Sequence, residues 1–318
     1  MKLISFEDIM NLGISYIECY NWVSDLIKNK NDVILPPKIS LKPRDGVFCN
    51  VMPSIVSYDG HSYGGVKVVT RYPGRTPSLD SQLLLMDADS GDFLALMDAN
   101  WITAFRTGAV AAHSIIHLAK SNYSEISMLG LGNTVRATLL MLAAAVPEKK
   151  LNVKLLKYKG QEELFAERFA QFKNLKFSFA DDIVSLVKDA DVIVSCITYT
   201  SEDLCKDEYF KKGVLVVPVH TRGFTNCDLF FDKVFADDYG HVKGFKYFDK
   251  YKYFAEVADV INGKAEGRAN DDERILAYNI GLSMHDINFA AHIYELMKEN
   301  NIQPNDFDLK GPTDKFWV

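Results

Sequence analysis

The stretch that most constrains this chain is Ser127-Met128-Leu129-Gly130-Leu131-Gly132-Asn133-Thr134-Val135-Arg136-Ala137-Thr138. A short apolar run ends in two glycines one residue apart, and a helical pattern follows at once. Such a strand–turn–helix lays a dinucleotide pyrophosphate on a helix N-terminus. Gly130 suits the tight turn and Gly132 lets backbone approach phosphate. The first helical N–H groups, at Asn133, Thr134 and Val135, supply donors. Val135 stands where the third small residue of G-x-G-x-x-G belongs, so the fingerprint is incomplete. A glycine-rich turn without a ligand is the alternative.

The residues around it favour the nucleotide. From Ser124 the pattern alternates, with strands expected at Glu125–Leu129, Val153–Tyr158, Leu175–Phe179, Asp191–Ile197, Val214–Val219 and Lys233–Ala236. Helices are expected at Thr134–Ala145, Glu162–Phe172, Ile183–Lys188 and briefly near Glu202–Phe210. Repeated βα units with short loops imply an α/β domain of Rossmann type, a parallel sheet wound on both faces. Upstream, Ser5–Lys28 has helical apolar spacing, and short β-rich segments from Val33 to Met97 predict a mostly antiparallel sheet. Asn100–Lys120 and Arg274–Lys298 read as helices. The aromatic segment Lys243–Lys252 reads as packing or a subunit contact.

At 318 residues two domains are the default expectation. A formal charge of -6 argues against a nucleic-acid surface. No apolar run approaches ~20 residues, and Met1–Glu7 has neither the basic nor the apolar region of a signal peptide. Cys19, Cys49, Cys196, Cys205 and Cys227 are odd in number and lack C-x-x-C spacing. They read as reduced thiols of a cytoplasmic protein, without a metal site or a disulfide frame.

Several blocks now fall into a known order and spacing. They are Pro36-Pro37-Lys38, Met52-Pro53, Gly65-Val66-Lys67-Val68-Val69, Leu85-Met86-Asp87-Ala88-Asp89-Ser90-Gly91, Ile102-Thr103-Ala104-Phe105-Arg106-Thr107-Gly108-Ala109, Gly130-Leu131-Gly132 and Gly267-Arg268…Asp272-Glu273. Along nearly its whole length the chain resembles the ornithine cyclodeaminase/mu-crystallin family. The resemblance implies a dinucleotide domain plus a discontinuous α+β domain that binds substrate and dimerises, so a homodimer is expected. The corresponding boundaries are 1–118 and 291–318 for the substrate-binding/dimerisation domain and 119–290 for the dinucleotide domain.

Lys67 lies in an apolar strand, where a charged side chain needs a reason unless it faces water at an edge. By resemblance it meets the substrate carboxylate or the reacting nitrogen and serves as acid or base. Arg106 by the same resemblance forks onto the substrate α-carboxylate, a geometry that suits a guanidinium. A surface arginine paired with an aspartate is its other reading. Lys38 falls where relatives often carry a carboxylate-gripping arginine; a lysine keeps the charge and loses the fork. Met52 lines the pocket or simply packs in the core. Thr107 and Thr198 are implied cofactor contacts, and an ordinary strand-end threonine remains open for Thr198.

The cofactor is NAD(H) or NADP(H). After the second dinucleotide strand the chain reads Lys157-Tyr158-Lys159-Gly160-Gln161, with no acid before Glu162. A carboxylate there repels a 2′-phosphate, and Lys157 or Lys159 attracts it, so the reading leans to NADP(H), although strand-end lysines are also commonplace. Where ornithine cyclodeaminases place a catalytic aspartate, this chain carries His220, a candidate acid/base or a structural histidine. The first functional reading is therefore hydride transfer at the Cα–N bond of a small amino or imino acid, as in a ketimine reductase or amino-acid dehydrogenase. Cyclodeamination of ornithine or lysine with internally recycled NAD is the second reading. The third is a non-catalytic, nucleotide-dependent binder of a small ligand.

Overall fold

In the computed structural model, which describes residues 1–197, 200, 203–219 and 229–308, two sheets are arranged around shared helices. The chain opens with β1 (Lys2–Ile4), α1 (Phe6–Asn11) and α2 (Tyr16–Lys28). Then come β2 (Ile39–Leu41), β3 (Phe48–Tyr58), β4 (His61–Arg71), β5 (Leu79–Asp87), β6 (Phe93–Asp98) and α3 (Asn100–Leu118). Alternation begins with β7 (Glu125–Leu129), α4 (Asn133–Ala145), β8 (Leu151–Leu156), α5 (Glu162–Glu167), β9 (Leu175–Ala180), α6 (Ile183–Val187) and β10 (Val192–Ser195). It continues through β11 (Leu215–Pro218), β12 (Lys233–Ala236), α7 (Tyr239–Val242), β13 (Phe254–Glu256), α8 (Val257–Ile261) and β14 (Ile275–Tyr278). The helix α9 (Ser283–Glu299) and β15 (Asn305–Asp306) follow. Among the described residues no helix is long and apolar enough to cross a membrane.

The first sheet has the order β15-β1-β6-β5-β4-β3-β2 and is antiparallel except where β1 lies parallel to β6. The second has the order β13-β12-β14-β11-β10-β7-β8-β9 with every pair parallel. The α/β class with a Rossmann-like parallel sheet is thus the one the βα alternation predicts. Serine caps start the first two helices: Ser5 with Asp8 and Ser15 with Glu18 form reciprocal capping boxes that satisfy otherwise orphaned donors.

Two expectations change at the C-terminal end. Residues 275–278 form the buried strand β14, inserted between β11 and β12, where a helix was expected from Arg274. A strand buried on both faces is a continuous apolar run, so periodicity does not separate it from a buried helix. The boundary expected at 290/291 also falls inside α9, a single helix from Ser283 that packs on β3 and β4. Smaller shifts include α5, which ends at Glu167, because the turn after it tightens. Of the helix expected near 202–210, the described residues 203–210 hold a 3-10 turn at Asp207–Tyr209.

Packing follows from close approaches. A Cβ on Gly108 would lie 2.6 Å from that of Ala137, so the missing side chain lets α3 press onto α4. On the first sheet one face is buried, with Met52, Lys67, Leu83 and Met97 forming one cross-strand row. The opposite face carries Pro53, Val66, Leu84 and Leu96 in the next row, all only partly covered. In the aromatic segment, Phe248 contacts Tyr239, Tyr251 and Phe254, and Phe245 meets Tyr278 edge-on, so these rings pack within the fold.

Candidate active site

Lys67 sits mid-strand in β4, on the face covered by α9, and is wholly buried at 0% exposure. Strand alternation forces this placement, because its neighbours Val66 and Val68 point the other way. Its Nζ donates to Asp286 Oδ1 at 2.7 Å. Arg106, on α3, donates through Nε to the same oxygen at 2.8 Å. Asp286 itself stands in the first turn of α9, buried completely, and its Oδ2 has no protein partner among the described residues. One carboxylate oxygen thus joins three elements from distant parts of the chain.

The electrostatics follow from that crowding. Burial, the Arg106 guanidinium and the Lys38 ammonium pull the Lys67 pKa down to about 7, and Asp286 opposes them. A lysine in this range exchanges a proton near neutrality. Lys38 is also pushed down, first by burial and then by Arg106, against the pull of Asp237 and Asp286. Its Nζ donates to the carbonyl of Ile280 at 3.0 Å. The next residue, Gly281, has φ +82, and a Cβ there would come within 2.6 Å of Arg106 Nη1. Only glycine permits both the turn and the guanidinium.

A second buried carboxylate shapes that turn. Asp237, just past β12, accepts the N–H groups of Ile280 (2.8 Å) and Gly281 (3.0 Å) through Oδ2. Burial raises its pKa, against the Gly281 N–H and the nearby Lys38 and Lys30 ammonium groups. Behind it lies a cavity with room for about one water, lined by Lys30, Ser114, Asp237, Met284 and His285 among others. His285 is held down to about 3 by burial and by Arg106, so it stays neutral beside the cations.

The remaining expected residues distribute as follows. Met52 pairs with Lys67 across β3 and β4 and is 3% exposed, so it abuts the lysine and also serves the core. Gly130 takes φ +85, and a Cβ there would strike the Cys196 backbone at 2.7 Å, which explains the glycine. Gly132 is the N-cap of α4; nothing lies within 4 Å of where its Cβ would stand, and no side chain caps the helix. Asn133 is exposed and Thr134 half-buried, whereas the Val135 side chain is buried in the core and offers only backbone. Open space before uncapped N–H groups fits a dinucleotide pyrophosphate. Thr107 is buried and donates to the Thr103 carbonyl at 2.6 Å.

Lys157 is tied to Asp181, at the end of β9, by a 2.7 Å ion pair, so an acid borders this edge from the adjacent strand. Lys159 adopts φ +52 with its ammonium 5.0 Å from the Tyr158 ring centre. Thr198 and His220 lie outside the described residues, as does the tail from residue 309. Among the described residues no cluster of His, Cys, Asp or Glu could hold a metal.

Sequence reasoning missed Asp286 and Asp237. The available signal for Asp286 was a charged residue amid Met284, Ile287, Phe289, Ala290 and Ala291, where a helix otherwise turns apolar groups to a core.

A family model described as the ornithine cyclodeaminase/mu-crystallin family matches residues 3–301. The chain belongs to that family. It is 28% identical over 276 residues to a Delta(1)-pyrroline-2-carboxylate reductase of Bacillus cereus, covering 79% of this chain and 82% of the relative. Among solved structures it resembles the Thermococcus litoralis Delta(1)-pyrroline-2-carboxylate reductase in complex with NADH and L-proline. The TM-score is 0.82 at 24% identity, covering 96% of this chain and 100% of that one. An archaeal alanine dehydrogenase dimer with bound NAD aligns with TM-score 0.81 at 22% identity, over 95% of this chain and 98% of its own.

Replacing Asp286 removes a carboxylate bonded to two buried cations, Lys67 and Arg106. Asp286→Asn is expected to destabilise the protein by about 3 kcal/mol in urea unfolding, and adding Lys67→Met should recover part of the loss. An unchanged midpoint in the single variant would refute the central role of this carboxylate.

Proposed function

We propose that the chain is an NAD(P)-dependent oxidoreductase acting at the Cα–N bond of a small amino or imino acid, of ketimine reductase or amino-acid dehydrogenase type. One observation carries the reading: among the described residues, Lys38, Lys67 and Arg106 gather against two buried carboxylates, Asp237 and Asp286. A substrate carboxylate supplies the missing counter-charge. The kinship with pyrroline-2-carboxylate reductases points to a substrate in which that carboxylate adjoins a C=N or C–N bond.

The bound nicotinamide supplies or takes up hydride. Arg106 spends its Nε on Asp286, which aims the guanidinium and leaves its Nη groups to fork onto the substrate carboxylate. Lys38 adds a second positive contact from the 36–38 segment. Lys67 moves the proton on the substrate nitrogen, with His220 as the other candidate. Gly130, Gly132 and the N–H groups of Asn133, Thr134 and Val135 hold the pyrophosphate, with Thr107 and Thr198 towards the nicotinamide end. Holding both reactants in attack geometry supplies much of the acceleration.

The direct assay offers Δ1-pyrroline-2-carboxylate in the reductive direction and L-proline and L-alanine in the oxidative one, following the reduced-nicotinamide absorbance. Reductive turnover should fall as pH rises through about 7, because the protonated form of Lys67 is the acid. Oxidative turnover should rise over the same range. Lys67→Ala should abolish turnover while nucleotide still binds; retained turnover rejects the assigned role. Ammonia release from ornithine or lysine without net absorbance change would instead identify a cyclodeaminase.

For the cofactor we read Lys157 and Lys159 as 2′-phosphate contacts, with Asp181 the counter-ion that the phosphate displaces from Lys157. Replacing both lysines with alanine should raise KM for NADPH about tenfold and leave NADH nearly unchanged. A wild-type preference for NADH overturns this assignment.

The half-covered face with Pro53, Val66, Leu84 and Leu96 supports a homodimer, since an apolar sheet face of this kind favours burial against a second copy. Light scattering should give a dimer for the wild type and a folded monomer for Leu84→Asp. A monomeric wild type removes the proposal.

A further inference from the structure

The segment that carries Lys38 is fastened from across the molecule. The Lys38 backbone N–H donates to His241 Nε2 at 3.3 Å. An accepting Nε2 is unprotonated, so the ring proton lies on Nδ1, which faces Asp238 Oδ2 at 2.7 Å. That oxygen also accepts the His241 backbone N–H (3.1 Å), capping α7. The other oxygen, Oδ1, receives Lys30 Nζ at 2.9 Å, and Lys30 also reaches Glu256 Oε2 (2.6 Å) and the Asp237 carbonyl (2.8 Å). The histidine side chain is 4% exposed, and Gly240 packs close enough to Pro37 that a Cβ would lie 3.8 Å from its ring.

Each link has a chemical reason. A carboxylate only accepts, so Asp238 selects the Nδ1–H tautomer and leaves Nε2 with one task, to take a donor from outside the α7 turn. The donor it takes is the backbone of a residue whose side chain runs to Ile280 O, in the turn that borders Arg106. Without that anchor the 36–38 segment has, among the described residues, no other backbone hydrogen bond to the parallel sheet, and β2 starts only at Ile39. The lysine would keep its charge and lose its aim.

We propose that His241, oriented by Asp238, is a positioning residue for substrate: it pins the 36–38 segment so that Lys38 reaches the carboxylate site. The inference rests on the reading that Lys38 meets the substrate carboxylate. It joins the end of the parallel sheet to the substrate grip of the other sheet, so substrate affinity depends on a residue that touches no substrate.

His241→Leu removes the acceptor, and His241→Gln restores one at nearly the same reach. Hydrogen–deuterium exchange reads the latch directly: residues 34–41 should exchange faster in His241→Leu and return towards wild-type protection in His241→Gln. With Δ1-pyrroline-2-carboxylate as probe, KM should rise about tenfold in the leucine variant, with kcat and the nucleotide KM unchanged and partial rescue by glutamine. Unchanged exchange in His241→Leu overturns the latch. Faster exchange with an unchanged probe KM overturns its role in substrate binding, as does an equal loss in nucleotide KM. Absence of turnover in the wild type counts against the reading of the site, and the exchange experiment then decides the latch alone.

Discussion

The structure depends on a single carboxylate oxygen in a buried setting. Asp286 Oδ1 accepts from an ammonium on one sheet and a guanidinium on the helix that bridges to the other. Burying three ionisable side chains is costly, and the cost is tolerable only because each finds a partner of opposite sign at hydrogen-bond distance. The arrangement also explains why Lys67 is so easily deprotonated: burial and two neighbouring cations outweigh one aspartate. The features that make the site expensive to build are the ones that make it reactive.

The glycines near the site mark close approaches. Gly130 makes room for the backbone after β10, Gly108 for α4, and Gly281 for the Arg106 guanidinium. These positions let neighbouring elements approach closely. The polar bracket of Lys30, Asp238, Glu256 and His241 works from the other side, tying α2 and the 36–38 segment to the ends of β12 and β13. The two sheets therefore share a frame without belonging to the same layer.

Much of this was legible in the residues. The glycine elbow, the βα alternation and the antiparallel first sheet all announce themselves locally, Lys67 stood out as a charge in an apolar strand, and Arg106 was marked by the family resemblance. What stayed hidden was long-range. Asp286 lies 219 positions from Lys67, and nothing local says that α9 folds back over β4. The strand β14 was read as helix because Ile275-Leu276-Ala277-Tyr278 is apolar throughout and lacks alternation. Asp237 follows a strand with nothing local to mark it; its task is set by backbone donors forty-odd residues later in the chain. The acid bordering Lys157 was missed for the same reason, since Asp181 comes from the neighbouring strand.

The placement of Lys67 at the centre of β4 has a bearing on errors of assembly. Residues on a strand alternate between faces, so a one-step slide against β3 and β5 would exchange Lys67 with Val66 or Val68. The ammonium would then emerge on the open apolar face, and a valine would confront Asp286. A misregistered chain would leave Asp286 facing an aliphatic side chain in the interior, an unpaired buried charge that disfavours the slip.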